Sequence, residues 1–65
     1  MTKNEAIETA KTNSTRRPNG WYDVFQVIDT DRFIASEDAE SYDCVGGYDR
    51  IDLKFIERYV NGKRQ

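Results

Sequence analysis

Apolar side chains are concentrated between residues 21 and 60, and their spacing changes along that stretch. In residues 21–28, aromatic and β-branched side chains fall on both faces of an extended chain, which predicts a strand covered on both sides. Residues 29–31 have turn composition, and 32–36 resume as a second strand. A polar stretch at 37–40 precedes a third short strand at 41–45. Connections this short require antiparallel neighbours, so the pattern predicts a three-stranded meander.

The last apolar segment fits two structures. Ile51, Leu53 and Phe55 alternate as in a strand, but on a helical projection the apolar residues of 51–60 share one broad arc. Asn61-Gly62 is a common helix ending. We therefore predict a helix over residues 49–61. The predicted fold class is α+β, a small three-stranded antiparallel meander packed by a C-terminal helix, and the alternative is an all-β four-stranded meander.

The N-terminal segment is predicted to be separate from this unit. Thr2 and Glu5 have the spacing of a capping box, which favours a short helix over residues 2–11. The following residues, 12–20, lack apolar side chains and have the composition of a linker. We expect a flexible or partly helical segment at 1–19, a single small domain at 20–62, and a basic tail at 63–65.

A chain of 65 residues buries a small core, so its stability margin is narrow. Cys44 is the only cysteine, which excludes an internal disulfide, and association is the remaining means of stabilisation. The sequence therefore leaves a homodimer open. The expected core members are Phe25, Ile28, Ile34, Phe55 and Ile56.

Charge is segregated along the chain. Residues 1–20 carry four bases and two acids, 21–57 carry ten acids and three bases, and 58–65 carry three bases. Such asymmetry bears on partners and association rates. Acids cluster on one predicted turn and the strand leaving it, and we expect this patch to bind a larger protein that has a basic surface. Its residues are Glu37, Asp38, Glu40 and Asp43.

The composition disfavours chemistry. The chain has no histidine, which removes the usual general base and the commonest metal ligand. The acids from Asp29 onward have part of a calcium-loop spacing, but Phe33 and Ile34 stand where the loop needs an oxygen ligand and a glycine. We expect no catalytic residues, no metal site and no cofactor. The predicted function is a non-enzymatic small interaction or regulatory protein.

A nucleic-acid-binding module is the alternative function. Sheet aromatics and the basic ends of the chain would form its surface. Acids within the same strands disfavour nucleic acid as a partner, because phosphate-binding grooves need positive charge. No apolar run is long enough to cross a bilayer, and the N-terminus lacks the apolar core of a signal peptide, so we expect a cytoplasmic protein that does not bind membranes. The candidate stacking residues are Trp21, Tyr22, Phe25, Phe33 and Tyr42.

The order of segments over residues 21–62 adds a resemblance. A polar N-terminus, the strands WYDVFQV, RFIAS and SYDCV, and a charged C-terminal tail resemble the small accessory proteins of bacteriophages and prophages. Several such families bind host proteins, some of them as acidic mimics of DNA. The resemblance implies a phage-encoded binding protein.

Overall fold

A computed structural model describes residues 1–16, 20–37 and 43–65 of the chain. Its elements follow one another in a simple order. In chain order they are helix α1 (Lys3–Arg16), strands β1 (Trp21–Val27), β2 (Phe33–Glu37), β3 (Cys44–Val45) and β4 (Tyr48–Asp49), a single 3-10 turn (Arg50–Asp52), and strands β5 (Leu53–Val60) and β6 (Lys63–Arg64).

Strand β1 is central in the main sheet. Within the described ranges this sheet has four antiparallel strands in the order β2-β1-β5-β6, so the predicted α+β class is confirmed. Tyr22 lies opposite Glu37 on β2 and opposite Tyr59 on β5. The two strands predicted at 21–28 and 32–36 therefore form and pair as expected, because only a short turn separates them.

The predicted helix over residues 49–61 is wrong. Residues 53–60 form β5, which pairs with β1 from Leu53 opposite Val27 to Val60 opposite Trp21. The register shifts between Val24 and Phe25, so β5 has one extra residue at this point. That residue breaks the two-residue alternation of the apolar side chains and gives them a spacing that resembles a helical one.

The predicted third strand of the meander is also corrected. Cys44 and Val45 pair with Asp49 and Tyr48 in a separate two-stranded hairpin, not with the main sheet. Residues 41–42 of that prediction lie outside the described part of the chain. The hairpin packs on one side of the main sheet through Val45, which contacts Phe25.

Helix α1 covers the other side of the sheet. Its buried residues, Ala6, Ala10 and Ser14, recur every four positions, and their small side chains let the helix backbone approach the strands closely. Residues 1–19, expected to be flexible or partly helical, thus include a helix that packs on β1, β2 and β5. Its C-terminal end is joined to the β5–β6 turn, because the Gly62 N–H donates to Ser14 Oγ at 2.9 Å.

The hydrophobic core has two parts, one on each side of the sheet. On the helix side the buried members are Ala6, Ala10, Val24 and Tyr59. On the hairpin side they are Phe25 and Val45, with Ile34 and Leu53 against them.

The predicted core is therefore right at Phe25 and only partly right elsewhere. Ile34 and Ile56 are half-buried and pack against the core. Ile28 is 45% exposed and Phe55 is 52% exposed, so both predictions are wrong. Phe55 was expected within a C-terminal helix packed on the sheet, and it lies in β5 instead. Ile28 lies just past the end of β1.

The C-terminal residues continue the sheet. Residues 63–65, expected as a basic tail, include β6, which pairs with the last two residues of β5. Among the described residues, no helix has the length and apolar character that a membrane crossing requires.

Candidate functional site

The two sides of the sheet differ in what they present. Alternation along β1 directs Tyr22 and Val24 to α1, and Trp21, Asp23 and Phe25 to the opposite side. We call the opposite side the aromatic face and define it by Trp21, Asp23, Phe25, Phe55 and Arg58. The hairpin covers one part of this face, and Phe55 remains half exposed.

An ion pair holds the centre of the aromatic face. Asp23 is only 1% exposed, and its two carboxylate oxygens accept from Arg58, Oδ1 from Nε at 2.8 Å and Oδ2 from Nη2 at 3.2 Å. The two residues lie directly opposite each other on β1 and β5. A bidentate pair between neighbouring strands fixes the plane of the guanidinium group as well as its position.

Aromatic rings surround that guanidinium group. Arg58 Cζ lies 4.7 Å from the centre of the Trp21 ring and 6.0 Å from the centre of the Phe55 ring. Phe55 in turn meets Phe25 edge to face, with ring centres 6.0 Å apart. Cation–π and edge-to-face contacts each add modest stabilisation, so they favour this arrangement of the rings around the guanidinium group.

A groove of about 490 Å³ opens beside this cluster. Arg50, from the 3-10 turn, and Gln65, which follows β6, form two of its walls. The Gln65 N–H donates to the Arg58 carbonyl at 2.8 Å, which holds the C-terminal residue beside β5. The remaining lining residues are Asp23, Phe25, Phe55 and Arg58.

The predicted acidic patch is only partly in the described structure. Glu37 ends β2 and is half-buried, and Asp43 is exposed just before β3. The Asp43 carbonyl accepts from the Arg50 N–H at 3.0 Å, which places it next to the groove. Asp38 and Glu40 lie outside the described residues.

The candidate stacking aromatics do not share one surface. Tyr22 and Phe33 pack against the core on the helix side, whereas Trp21 and Phe25 belong to the aromatic face. Tyr42 lies outside the described residues. The aromatic set named from the sequence is thus divided between two sides of the sheet.

Two groups with potential for chemistry have raised pKa values. Tyr59 is 3% exposed, and burial, together with the hydrogen bond that its hydroxyl donates to Glu57 Oε2 at 2.5 Å, raises its pKa to about 12. The hydrogen bond of the Cys44 thiol to Asp49 raises the pKa of that exposed thiol. Within residues 1–16, 20–37 and 43–65, no group of three or more carboxylate or thiol side chains is arranged to hold a metal ion.

Sequence reasoning missed Arg58 and Gln65 as site residues. The sequence signal for Arg58 was available only in the strand interpretation, which sets it opposite Asp23.

Comparison of the chain with protein-family profiles, curated proteins and solved structures found no match.

Proposed function

We propose that the chain is a non-enzymatic binding protein that engages a larger protein through its aromatic face. The observation that carries this proposal is the half-exposed Phe55 ring beside an Arg58 guanidinium already fixed by Asp23 and Trp21. Aromatic and arginine side chains dominate the binding energy of protein interfaces. Side chains that are already held by contacts with one another lose less entropy when the partner arrives.

The pKa shifts of Tyr59 and Cys44 do not suit them for catalysis. A general base must have a pKa near the working pH, and the pKa of Tyr59, about 12, lies far above neutral pH. A nucleophilic cysteine needs a lowered pKa, and that of Cys44 is raised. Asp23 is used in holding Arg58.

Two exposed acids near the groove favour basic groups on the partner. Asp43 and Asp49 are both exposed. The Asp43 carbonyl accepts from the Arg50 N–H, Asp49 directly precedes Arg50 in the sequence, and Arg50 forms one wall of the groove. Exposed rim charges mainly raise the association rate with a surface of opposite sign. A larger protein with a basic rim around an apolar contact is the partner that this arrangement fits, as the resemblance to phage accessory proteins also suggests.

The test uses a pair of matched apolar substitutions. Phe55→Thr removes the exposed ring from the aromatic face, and Ile28→Thr removes a similarly exposed apolar side chain away from it. Immobilised wild-type and variant chains, each first shown to be folded by its thermal unfolding curve, are used to capture proteins from a bacterial lysate. Binding of the captured protein is then measured with each purified chain.

We expect Phe55→Thr to weaken that binding at least about tenfold, as for an interface hot spot, and Ile28→Thr to leave it unchanged. Equal binding by both variants would overturn the proposed role of the aromatic face. A gel-shift with mixed single- and double-stranded oligonucleotides runs in parallel. Tight, salt-sensitive binding there would favour the nucleic-acid alternative.

A further inference from the structure

Strand β5 is much longer than the strand that pairs with its outer side. β5 has eight residues and β6 has two, and β6 pairs only with Tyr59 and Val60. In the described part of the chain, residues 53–57 have a strand beside them on the β1 side alone. This stretch of five residues is about 17 Å long.

The hydrogen bonds of β1 show which way its backbone groups point. The Val27 N–H donates to the Arg32 carbonyl, towards β2, at 2.9 Å. The Ile28 N–H donates to the Asp52 carbonyl, on the β5 side, at 2.9 Å. Because backbone groups alternate in direction along a strand, those of Gln26 also point towards β5.

The same alternation gives the direction of the β5 groups. Lys54 lies opposite Gln26, so its N–H and carbonyl point inward to β1. The backbone groups of its neighbours, Leu53 and Phe55, therefore point away from the sheet. The outer edge of β5 at Leu53 and Phe55 presents peptide donors and acceptors that no described strand pairs.

The other edge of the sheet has a contact of its own. On β2 the Phe33 N–H, which points away from β1, donates to the Met1 carbonyl at 3.0 Å. On β5 the corresponding contact comes later, where Gln65 bonds to Arg58. The stretch from Leu53 to Phe55 lies beyond that contact and beside the groove.

We propose that this edge of β5 takes an extended segment of the partner protein as an additional strand. Unpaired edge groups recognise an extended backbone, and pockets beside them select alternate side chains. Here the half-exposed Phe55 ring would contact an apolar side chain of the segment. The segment residues before and after that apolar residue would point to the opposite side of the sheet, the side of Lys54. The proposal rests on the proposed function and specifies the form of the partner.

The first experiment selects peptides from a displayed library of random dodecapeptides on the immobilised full chain. We expect the enriched sequences to carry apolar residues at every second position, and to bind Phe55→Thr at least tenfold more weakly than Ile28→Thr. A helical spacing of the apolar residues, or no enrichment, would overturn the strand proposal.

The second experiment tests the backbone directly and leaves the chain unchanged. The best peptide is synthesised in two forms, N-methylated at odd or at even positions. One form should lose binding at least tenfold, because its methyl groups replace the N–H groups that face β5, and the other should bind as before. Amide exchange at Leu53 and Phe55 should slow when the unmethylated peptide is bound.

The outcomes separate this proposal from the broader one. Peptides that depend on Phe55 but tolerate both methylation patterns would overturn strand addition and leave the aromatic face as the binding surface. If the captured proteins and the peptides bind Phe55→Thr as tightly as the wild type, both the strand proposal and the proposed role of the aromatic face are overturned. Sedimentation that shows a dimer abolished by Phe55→Thr would overturn the partner segment in favour of a second copy at the same edge.

Discussion

At the scale of single residues, the pair between Asp23 and Arg58 dominates the aromatic face. Asp23 is almost fully buried, and Arg58 forms a bidentate ion pair with it. Removing one partner of a buried pair is costly because the other charge is left without compensation. The pair therefore shapes the binding surface and is also a point where the fold is sensitive.

Asp23→Asn is expected to lower the free energy of unfolding by about 3 kcal/mol, near the low end for buried pairs since Arg58 keeps some solvent contact. Urea unfolding followed by circular dichroism measures the change. Asp31→Asn, at an exposed turn position, is the matched control and should change the free energy little. Similar losses in both variants would contradict a special role for the pair.

Gly62 is a second sensitive residue. It has a φ of 79°, and an added Cβ would lie 2.6 Å from Thr15 Oγ1 at the end of α1. Gly62→Ala therefore combines backbone strain with a steric overlap, and should destabilise the protein by about 2 kcal/mol or more.

Gly47 provides the control for this substitution. Its φ is 85°, but an added Cβ would meet nothing within 4 Å. Gly47→Ala should show the backbone cost alone, about 1 kcal/mol. Equal midpoint shifts for the two variants in thermal unfolding would mean that the helix does not press on the β5–β6 turn.

At the scale of elements, the N-terminus of α1 is stabilised as its sequence predicted. The Thr2 N–H donates to Glu5 Oε1 at 2.9 Å, and the Glu5 N–H donates to Thr2 Oγ1 at 3.2 Å, which confirms the capping box. The bond from the Thr2 backbone, followed by that from its side chain, lowers the pKa of Glu5 below its ordinary value of 4.5.

A lowered pKa makes this contribution depend on pH. It is fully present above the ordinary value of 4.5 and is lost as pH falls through the lower pKa of the folded state. Glu5→Gln keeps an acceptor for the Thr2 N–H but has no charge to titrate. Unfolding free energies measured from neutral to acidic pH should fall more for the wild type than for Glu5→Gln, and parallel curves would contradict the capping contribution.

The strands were predictable where alternation is regular. Residues 21–27 have apolar side chains on both faces, and the structure covers them with α1 on one side and the hairpin on the other. In β5 the register shift inserts one residue, so Phe55 and Arg58, which are three residues apart, lie on the same side of the sheet. Single-sequence periodicity cannot detect such a shift, because pairing with β1 determines it.

The site was less predictable than the fold. The acids of the turn are visible as composition, but the aromatic face depends on which strand lies beside β1. Asp23 and Arg58 are far apart in sequence and meet only because β5 pairs with β1 in one register. The helix prediction for residues 49–61 set no strand beside β1 at Arg58 and therefore hid the pair.

At the scale of the whole molecule, helix and sheet depend on each other. The core on the helix side combines Ala6 and Ala10 from α1 with Val24 and Tyr59 from the sheet. Neither part has an alternative cover among the described residues. In a chain of 65 residues, losing one of two small core clusters removes much of the buried apolar surface.

We expect a fragment of residues 20–65 to lack a cooperative thermal transition and to regain one when a peptide of residues 1–16 is added. Thermal unfolding curves of the fragment, with and without the peptide, measure the transition. Amide dispersion in NMR spectra of the same samples shows whether the fragment is folded. A scrambled peptide of the same composition is the control. A fragment that folds alone would show that residues 20–62 are a self-sufficient domain, as the sequence suggested.

The bond between Gln65 and Arg58 has a practical consequence for protein production. Residues appended after Gln65 would continue β6 along β5, antiparallel to it. Their direction leads to the edge at Leu53 and Phe55. A C-terminal affinity tag would thus be tethered at high effective concentration beside that edge and compete with other ligands. Preparations that carry such a tag should bind less than those whose tag has been cleaved off.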